Sequence, residues 1–146
     1  MTVALSGKEI AARIEENISG SVVEADKQSA LVTSDTLLQV ADFLKNSPEW
    51  GLTYLNFITA VDYYDYFEVV YQVSSLEQNH WFTLKARVYD RENPVLPSAC
   101  SVWRGADFQE REIYDLMGIK FEGHPNMKRI FLWDGFEGHP LRKDYL

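Results

Sequence analysis

The sequence predicts an α+β fold, a two-layer α/β sandwich with the order α-β-β-α-β-β-β-α and an extended C-terminal tail. Three observations predict it. Two segments near the start combine helix caps with apolar residues at helical spacing, and three segments in the middle are β-branched or strictly alternating. Beyond residue 117, prolines and glycines interrupt every run. A chain of 146 residues, 46% hydrophobic and 14% aromatic, is sized for one core rather than two. Residues 1–117 are therefore read as one α/β domain, and residues 118–146 as an extended partner-binding tail.

The first helix is marked by Ser6 and Glu9, the S-x-x-E capping box, with Leu5 and Ile10 at the two positions of a hydrophobic staple. Ile10, Ile14 and Ile18 give it an apolar stripe, and Gly20 is placed to end it. Two β-branched runs at 21–26 and 29–34 flank Lys27 and Gln28 and read as a hairpin. Ser34 or Asp35 then caps a second helix, whose face is Leu37, Val40, Ala41 and Leu44. Pro48 stops it, because the residue before a proline avoids the helical region.

Strands follow near 52–60, 67–73 and 81–89. The third alternates most cleanly, with Phe82, Leu84, Ala86 and Val88 on one face and Thr83, Lys85 and Arg87 on the other. The segment 92–100, with Pro94 and Pro97, reads as a loop. A last helix is predicted over 108–117, with Asp107 as N-cap, Glu110 at the third position and Gly118 just past the end. The tail beyond it carries Phe121, Ile130, Phe131, Leu132, Trp133 and Phe136. So much apolar surface must pack along the domain or into another subunit.

Charge narrows the function. A net charge of −8 opposes binding to a phosphate backbone, so no nucleic-acid partner is expected. Residues 1–103 hold 7 basic and 14 acidic side chains, whereas residues 104–146 hold 7 and 8, so the tail is dense in both signs. No apolar run is long enough to span a bilayer and no secretory leader is evident, which points to a cytosolic chain. The single cysteine, Cys100, allows no internal disulfide and no CxxC framework.

The pentapeptide F-E-G-H-P occurs twice, at 121–125 and 136–140. His124 and His139, with Glu122 and Glu137, could be metal ligands, yet they lack the short spacing on a rigid element that zinc sites use. Each His before Pro is read instead as a turn residue whose ring bonds the backbone. Cys100 has no base beside it, and no phosphate-binding or nucleophile-elbow motif is present. No catalytic, cofactor-binding or metal-binding residue is therefore assigned.

The run Glu110-Arg111-Glu112-Ile113-Tyr114-Asp115 is more informative. Arg111 and Asp115 share a helix face, and Glu112 and Asp115 bring two carboxylates together. The tail offers the answering cations Lys128, Arg129, Arg142 and Lys143. Either the tail folds back on this helix, or both are parts of a subunit interface. Acid–base chemistry by the paired carboxylates would be the enzymatic alternative, but no pocket signal accompanies it.

E-R-E-I-Y-D-L-M-G-I, then F-E-G-H-P-N-M-K-R-I, then P-L-R-K-D-Y together resemble the signature of the 30 kDa subunit family of respiratory NADH dehydrogenase. Its members are the C-type component of bacterial complex I and the J-type component of chloroplast and cyanobacterial versions. The resemblance implies a non-catalytic assembly subunit of a proton-pumping NADH:quinone oxidoreductase, placed in the peripheral arm on the cytoplasmic side of the cell (inner) membrane. It would support the D-type, hydrogenase-like large subunit near the quinone site, beside neighbouring iron–sulfur subunits. It implies no cofactor in this chain, with iron–sulfur clusters, FMN and quinone held by partners. Glu110, Arg111, Glu112, Asp115, His124, Lys128, Arg129, His139, Arg142, Lys143, Asp144 and Tyr145 are then the expected partner-binding residues. The same module also serves membrane-bound hydrogenases and dehydrogenases fed by ferredoxin or a reduced deazaflavin, which remain the alternative. A stand-alone metallohydrolase using His124 and His139 is the distant one. The chain ends just after R-K-D-Y where many relatives run on, so contacts of longer tails are expected to be absent or supplied by another chain.

Overall fold

A computed structural model describes residues 3–129 and 137–143. Along the chain these form β1 (Val3–Ala4), α1 (Gly7–Asn17), β2 (Val22–Ala25), β3 (Ser29–Val32), a 3-10 turn (Ser34–Thr36) and α2 (Leu37–Asn46). Then come β4 (Tyr54–Asp62), β5 (Phe67–Ser75), β6 (His80–Val88), β7 (Val95–Pro97), α3 (Ala106–Met117) and β8 (Lys120–Glu122). The class is α+β, a mixed sheet with three helices, as the sequence implies.

The main sheet runs β2-β3-β6-β5-β4. Strand β6 is its axis: it pairs antiparallel with β5 from Phe67↔Val88 to Ser75↔His80 and parallel with β3 from Ser29↔Thr83 to Val32↔Ala86. The parallel β1 pairs with β6 just before β3 does, at Val3↔His80 and Ala4↔Trp81. The alternation of β6 is realised: Phe82, Leu84 and Ala86 are fully buried while Thr83, Lys85 and Arg87 are only partly covered. Phe67, Val69, Tyr71 and Val73 of β5 join them, and Ile10, Ile14, Leu37, Val40 and Leu44 of the first two helices close the same core.

Local chemistry explains most element ends. Ser6 Oγ accepts the Glu9 N–H at 3.4 Å, so Ser6 is the N-cap that starts α1, as read. Helix α2 begins later than Ser34 or Asp35, because those residues close the 3-10 turn and neither supplies the cap of α2, which is Thr36. Helix α3 begins at Ala106, and its N-cap is Gly105 rather than Asp107, which sits in the first turn. Gly118 does end the helix, in the left-handed conformation at φ 79°.

Three short strands are absent from the sequence reading. Besides β1, segment 92–100 is not wholly loop, and the chain after Gly118 is not wholly extended tail. Their strands β7 and β8 pair in parallel, Val95↔Lys120 to Pro97↔Glu122, with Leu96, Ile119 and Phe121 buried in the core. Ile130, Phe131, Leu132, Trp133, Phe136, Asp144 and Tyr145 lie outside the described residues.

Candidate functional site

Most of the expected site residues that the structure describes lie on or against α3. The last four carbonyls of a helix have no partner within it and need donors from elsewhere. Here the Tyr114 carbonyl takes the Gly118 N–H at 2.9 Å, and the C-terminal segment supplies the other three in order. His139 Nδ1 donates to Asp115 O at 3.1 Å, the Leu141 N–H to Leu116 O at 2.9 Å, and Arg142 Nε to Met117 O at 2.6 Å. A guanidinium at this end also suits the negative pole of the helix. The segment is a cap for α3, built from residues more than twenty positions downstream.

The two F-E-G-H-P copies do equivalent work at opposite ends of this helix. Gly123 and Gly138 both adopt positive φ, 86° and 92°, which turns the chain so that the following His faces α3. His124 Nε2 donates to Asp107 O at 3.1 Å, in the first turn, while its Nδ1 accepts the Asn126 N–H at 2.9 Å. His139 takes the last turn. Both rings are turn residues bonded to backbone. Burial, with Arg142 and Arg129 nearby, holds His139 below its ordinary pKa despite the helping bond to Asp115.

Arg111 clamps the link between the copies. Its Nε and Nη2 donate to Lys128 O and Arg129 O at 3.0 and 3.3 Å. Arg129 turns inward, 3.4 Å from Asp115 Oδ1, and donates to Gly138 O at 3.1 Å. Among the described residues, the tail thus folds back on its own helix. Glu112, Lys128 and Lys143 remain exposed. Glu110 and Asp115 are completely buried within the chain.

Glu110 organises the loop before α3. Its carboxyl accepts Ser98 Oγ at 2.6 Å, the Ala99 N–H at 2.8 Å and Cys100 Sγ at 3.3 Å. Burial raises its pKa against these bonds and the nearby His124. Burial likewise pushes the Cys100 thiol up to about 11, so it is inert as a nucleophile near neutral pH. Cys100, Glu110 and His124 bring ligand atoms within 4.8 Å of one another. That donor set could hold zinc. As arranged, however, the thiol donates to Glu110, while both nitrogens of His124 are engaged elsewhere, by Asp107 O and the Asn126 N–H.

The sequence reading missed the anchor at the far end of the segment. Asp62, buried at the end of β4, accepts Arg91 through two bonds of 2.6 and 3.0 Å, the Tyr64 N–H at 2.8 Å and the Lys143 N–H at 2.9 Å. Arg91 above all, then the two backbone donors, hold its carboxyl well below the usual carboxylate range. Arg91 and Arg142 both lie over the Phe67 ring, 4.6 and 5.1 Å from its centroid. Asp62 and Arg91 are 29 residues apart, so no local pattern announces them.

A family model described as the respiratory-chain NADH dehydrogenase 30 Kd subunit matches residues 30–146, from β3 through both F-E-G-H-P copies. The chain belongs to this family. A C-type component of NADH-quinone oxidoreductase from Rhizobium meliloti (strain 1021), the one numbered 2 there, is 40% identical over 117 residues, 78% of this chain and 63% of that protein. This member of the 30 kDa family thus spans less than two thirds of that relative. The C-type component from Roseiflexus sp. (strain RS-1) is 39% identical over 136 residues, covering 91% of this chain and 78% of its own. Among solved structures, the trypsin-resistant fragment (1–134) of Nqo5 aligns with a TM-score of 0.61 and 32% identity, over 67% of this chain and 80% of that one. A chain of an archaeal respiratory membrane complex, the membrane-bound sulfane sulfur reductase, shares the fold with a TM-score of 0.72. At 23% identity it covers 94% of this chain and 84% of its own. Among the described residues, no helix of this 30 kDa-family chain is long and apolar enough to cross a membrane.

Proposed function

We propose that this chain is a non-catalytic assembly subunit of a proton-pumping NADH:quinone oxidoreductase, in the peripheral arm on the cytoplasmic face of the inner membrane. It supports the hydrogenase-like large subunit near the quinone site and contacts neighbouring iron–sulfur subunits. Clusters, FMN and quinone belong to those partners. The observation that supports this role is the capping of α3. The motif segment uses its His and Arg donors on α3 carbonyls, which leaves Glu112, Lys128, Leu141 and Lys143 exposed on a prebuilt surface. Asp144 and Tyr145 are proposed as further partner contacts.

In this reading Glu110 and Asp115 hold the frame, and Arg111, His124, Arg129, His139 and Arg142 set the shape that partners meet. A preformed surface lowers the ordering cost of association. The test is purification of the tagged chain from its native membranes in mild detergent. Iron–sulfur subunits and a hydrogenase-like large subunit are expected to co-purify, and recovery of this chain alone would overturn the proposal.

A further inference from the structure

A second surface lies where β4 turns into β5 and β6 ends. Tyr63 and Tyr66 from the turn and Tyr89 from just after β6 form a ladder, with centroids 5.3 and 5.4 Å apart. Tyr64 stands beside it. Tyr63, Tyr64 and Tyr89 are 45, 57 and 65% exposed, well above what a buried aromatic cluster allows. Exposed carboxylates punctuate the same two segments: Asp65 sits between Tyr64 and Tyr66, and Asp90 and Glu92 follow Tyr89.

The arginines of this corner are already engaged. Arg87 pairs with Glu68 at 3.1 Å and Glu24 at 3.5 Å, and Arg91 with Asp62. The surface therefore faces outward as tyrosine rings edged by acids. Within the chain, such rings already receive cations: Arg87 lies 4.4 Å from the Tyr66 centroid and Lys143 Nζ lies 5.3 Å from that of Tyr64. Tyrosine is also enriched among the residues that dominate binding energy at protein interfaces.

We infer that this tyrosine platform docks a lysine- or arginine-bearing segment of a partner subunit, whose cations lie on the ring faces and pair with Asp65, Asp90 and Glu92. Charge complementarity selects this occupant. An acidic segment would meet like charge at Asp65, Asp90 and Glu92, which outnumber the exposed Lys143 held over Tyr64, and a purely apolar one would leave the carboxylates desolvated without partners. The inference rests on the proposal that the chain is a subunit of a larger complex.

The experiment uses the complex isolated from native membranes. A photo-reactive phenylalanine analogue replaces Tyr89, the complex is irradiated, and the attached peptide is read by mass spectrometry. In parallel, the doubly charge-reversed chain Asp65→Lys with Glu92→Lys is purified under a salt wash, with its melting temperature as a check on folding. The expected result is an adduct to a segment containing Lys or Arg, and release of the reversed chain that is at least about fivefold greater than wild type. An adduct to a segment without basic residues overturns the inference. So does the absence of an adduct, or full retention of the reversed chain, while partners still co-purify. If the wild-type chain purifies alone, the assembly proposal falls, and this inference with it.

Discussion

The sheet-and-helix body and the C-terminal segment are held by different physics. In the body, Ile14, Val40, Leu44, Leu52, Phe82 and Leu84 are wholly buried, and stability comes from apolar area removed from water. In the segment, His139, Leu141 and Arg142 attach through donors to three helix carbonyls, and Lys143 through its amide to Asp62. Such bonds are worth little net where water can replace them, because the exchange is nearly balanced. The body is therefore expected to unfold cooperatively. The segment is locally detachable and sensitive to pH, as suits a surface that partners must read.

The largest test of this contrast is in the body. Leu44→Ala leaves a cavity in a site with no exposure, and is expected to cost about 2–5 kcal/mol. Denaturant melts followed by tryptophan fluorescence should shift to lower denaturant, and the Leu141 amide should be unprotected by the end of that transition, since the segment has nothing to cap once α3 unfolds. A body that melted while Leu141 stayed protected would break the hierarchy.

A smaller and local effect is expected at the hinge between the regions. Gly118 has φ 79°, and a Cβ there would lie 2.7 to 2.8 Å from the His139 ring and the Arg142 guanidinium. Those are flexible side-chain ends, so they move rather than the helix. Gly118→Ala should therefore cost about 1–3 kcal/mol, split between backbone strain and loss of the cap. Exchange at Leu141 should rise sharply while Leu44 and Phe82 remain protected. Equal loss of protection in both places would mean that the segment is part of the core.

How much of this was legible depended on sequence distance. The start of α1 was read correctly because Ser6 and Glu9 are three residues apart, and the faces of β6 because alternation is written within one strand. That both His rings bond backbone followed from their place before proline, whereas their aim at α3 did not. Strands β7 and β8 left no trace, since three residues cannot show a period and their pairing joins Val95 to Lys120. The N-cap of α3 was misplaced because Asp107 looks like a capping residue. The turn that feeds the helix, with the Ala106 N–H on Trp103 O, starts it at Ala106 instead. Asp62 was missed because its partners lie 29 and 81 residues away.

The smallest effect concerns acid. His139 titrates below its ordinary value of 6.5, first because burial disfavours the charged ring and then because Arg142 and Arg129 repel it, against the bond to Asp115 O. The sign follows from proton counting. Above the ordinary value, docked and undocked rings are both neutral and pH changes nothing. As pH falls below it, the undocked ring takes a proton while the docked ring resists. The undocked form then binds more protons, so docking weakens down through the docked ring's own pKa. An NMR titration of the His139 ring is expected to give a midpoint below that of an unstructured His peptide. Over the same range the Leu141 amide should lose protection, corrected for intrinsic exchange, while Leu44 keeps its own. His139→Gln, which retains a donor but cannot titrate, should abolish the pH dependence of Leu141 alone. A midpoint at or above the peptide value would mean that the ring is not buried against α3, and the acid sensitivity assigned to the segment would have to come from Asp62 instead.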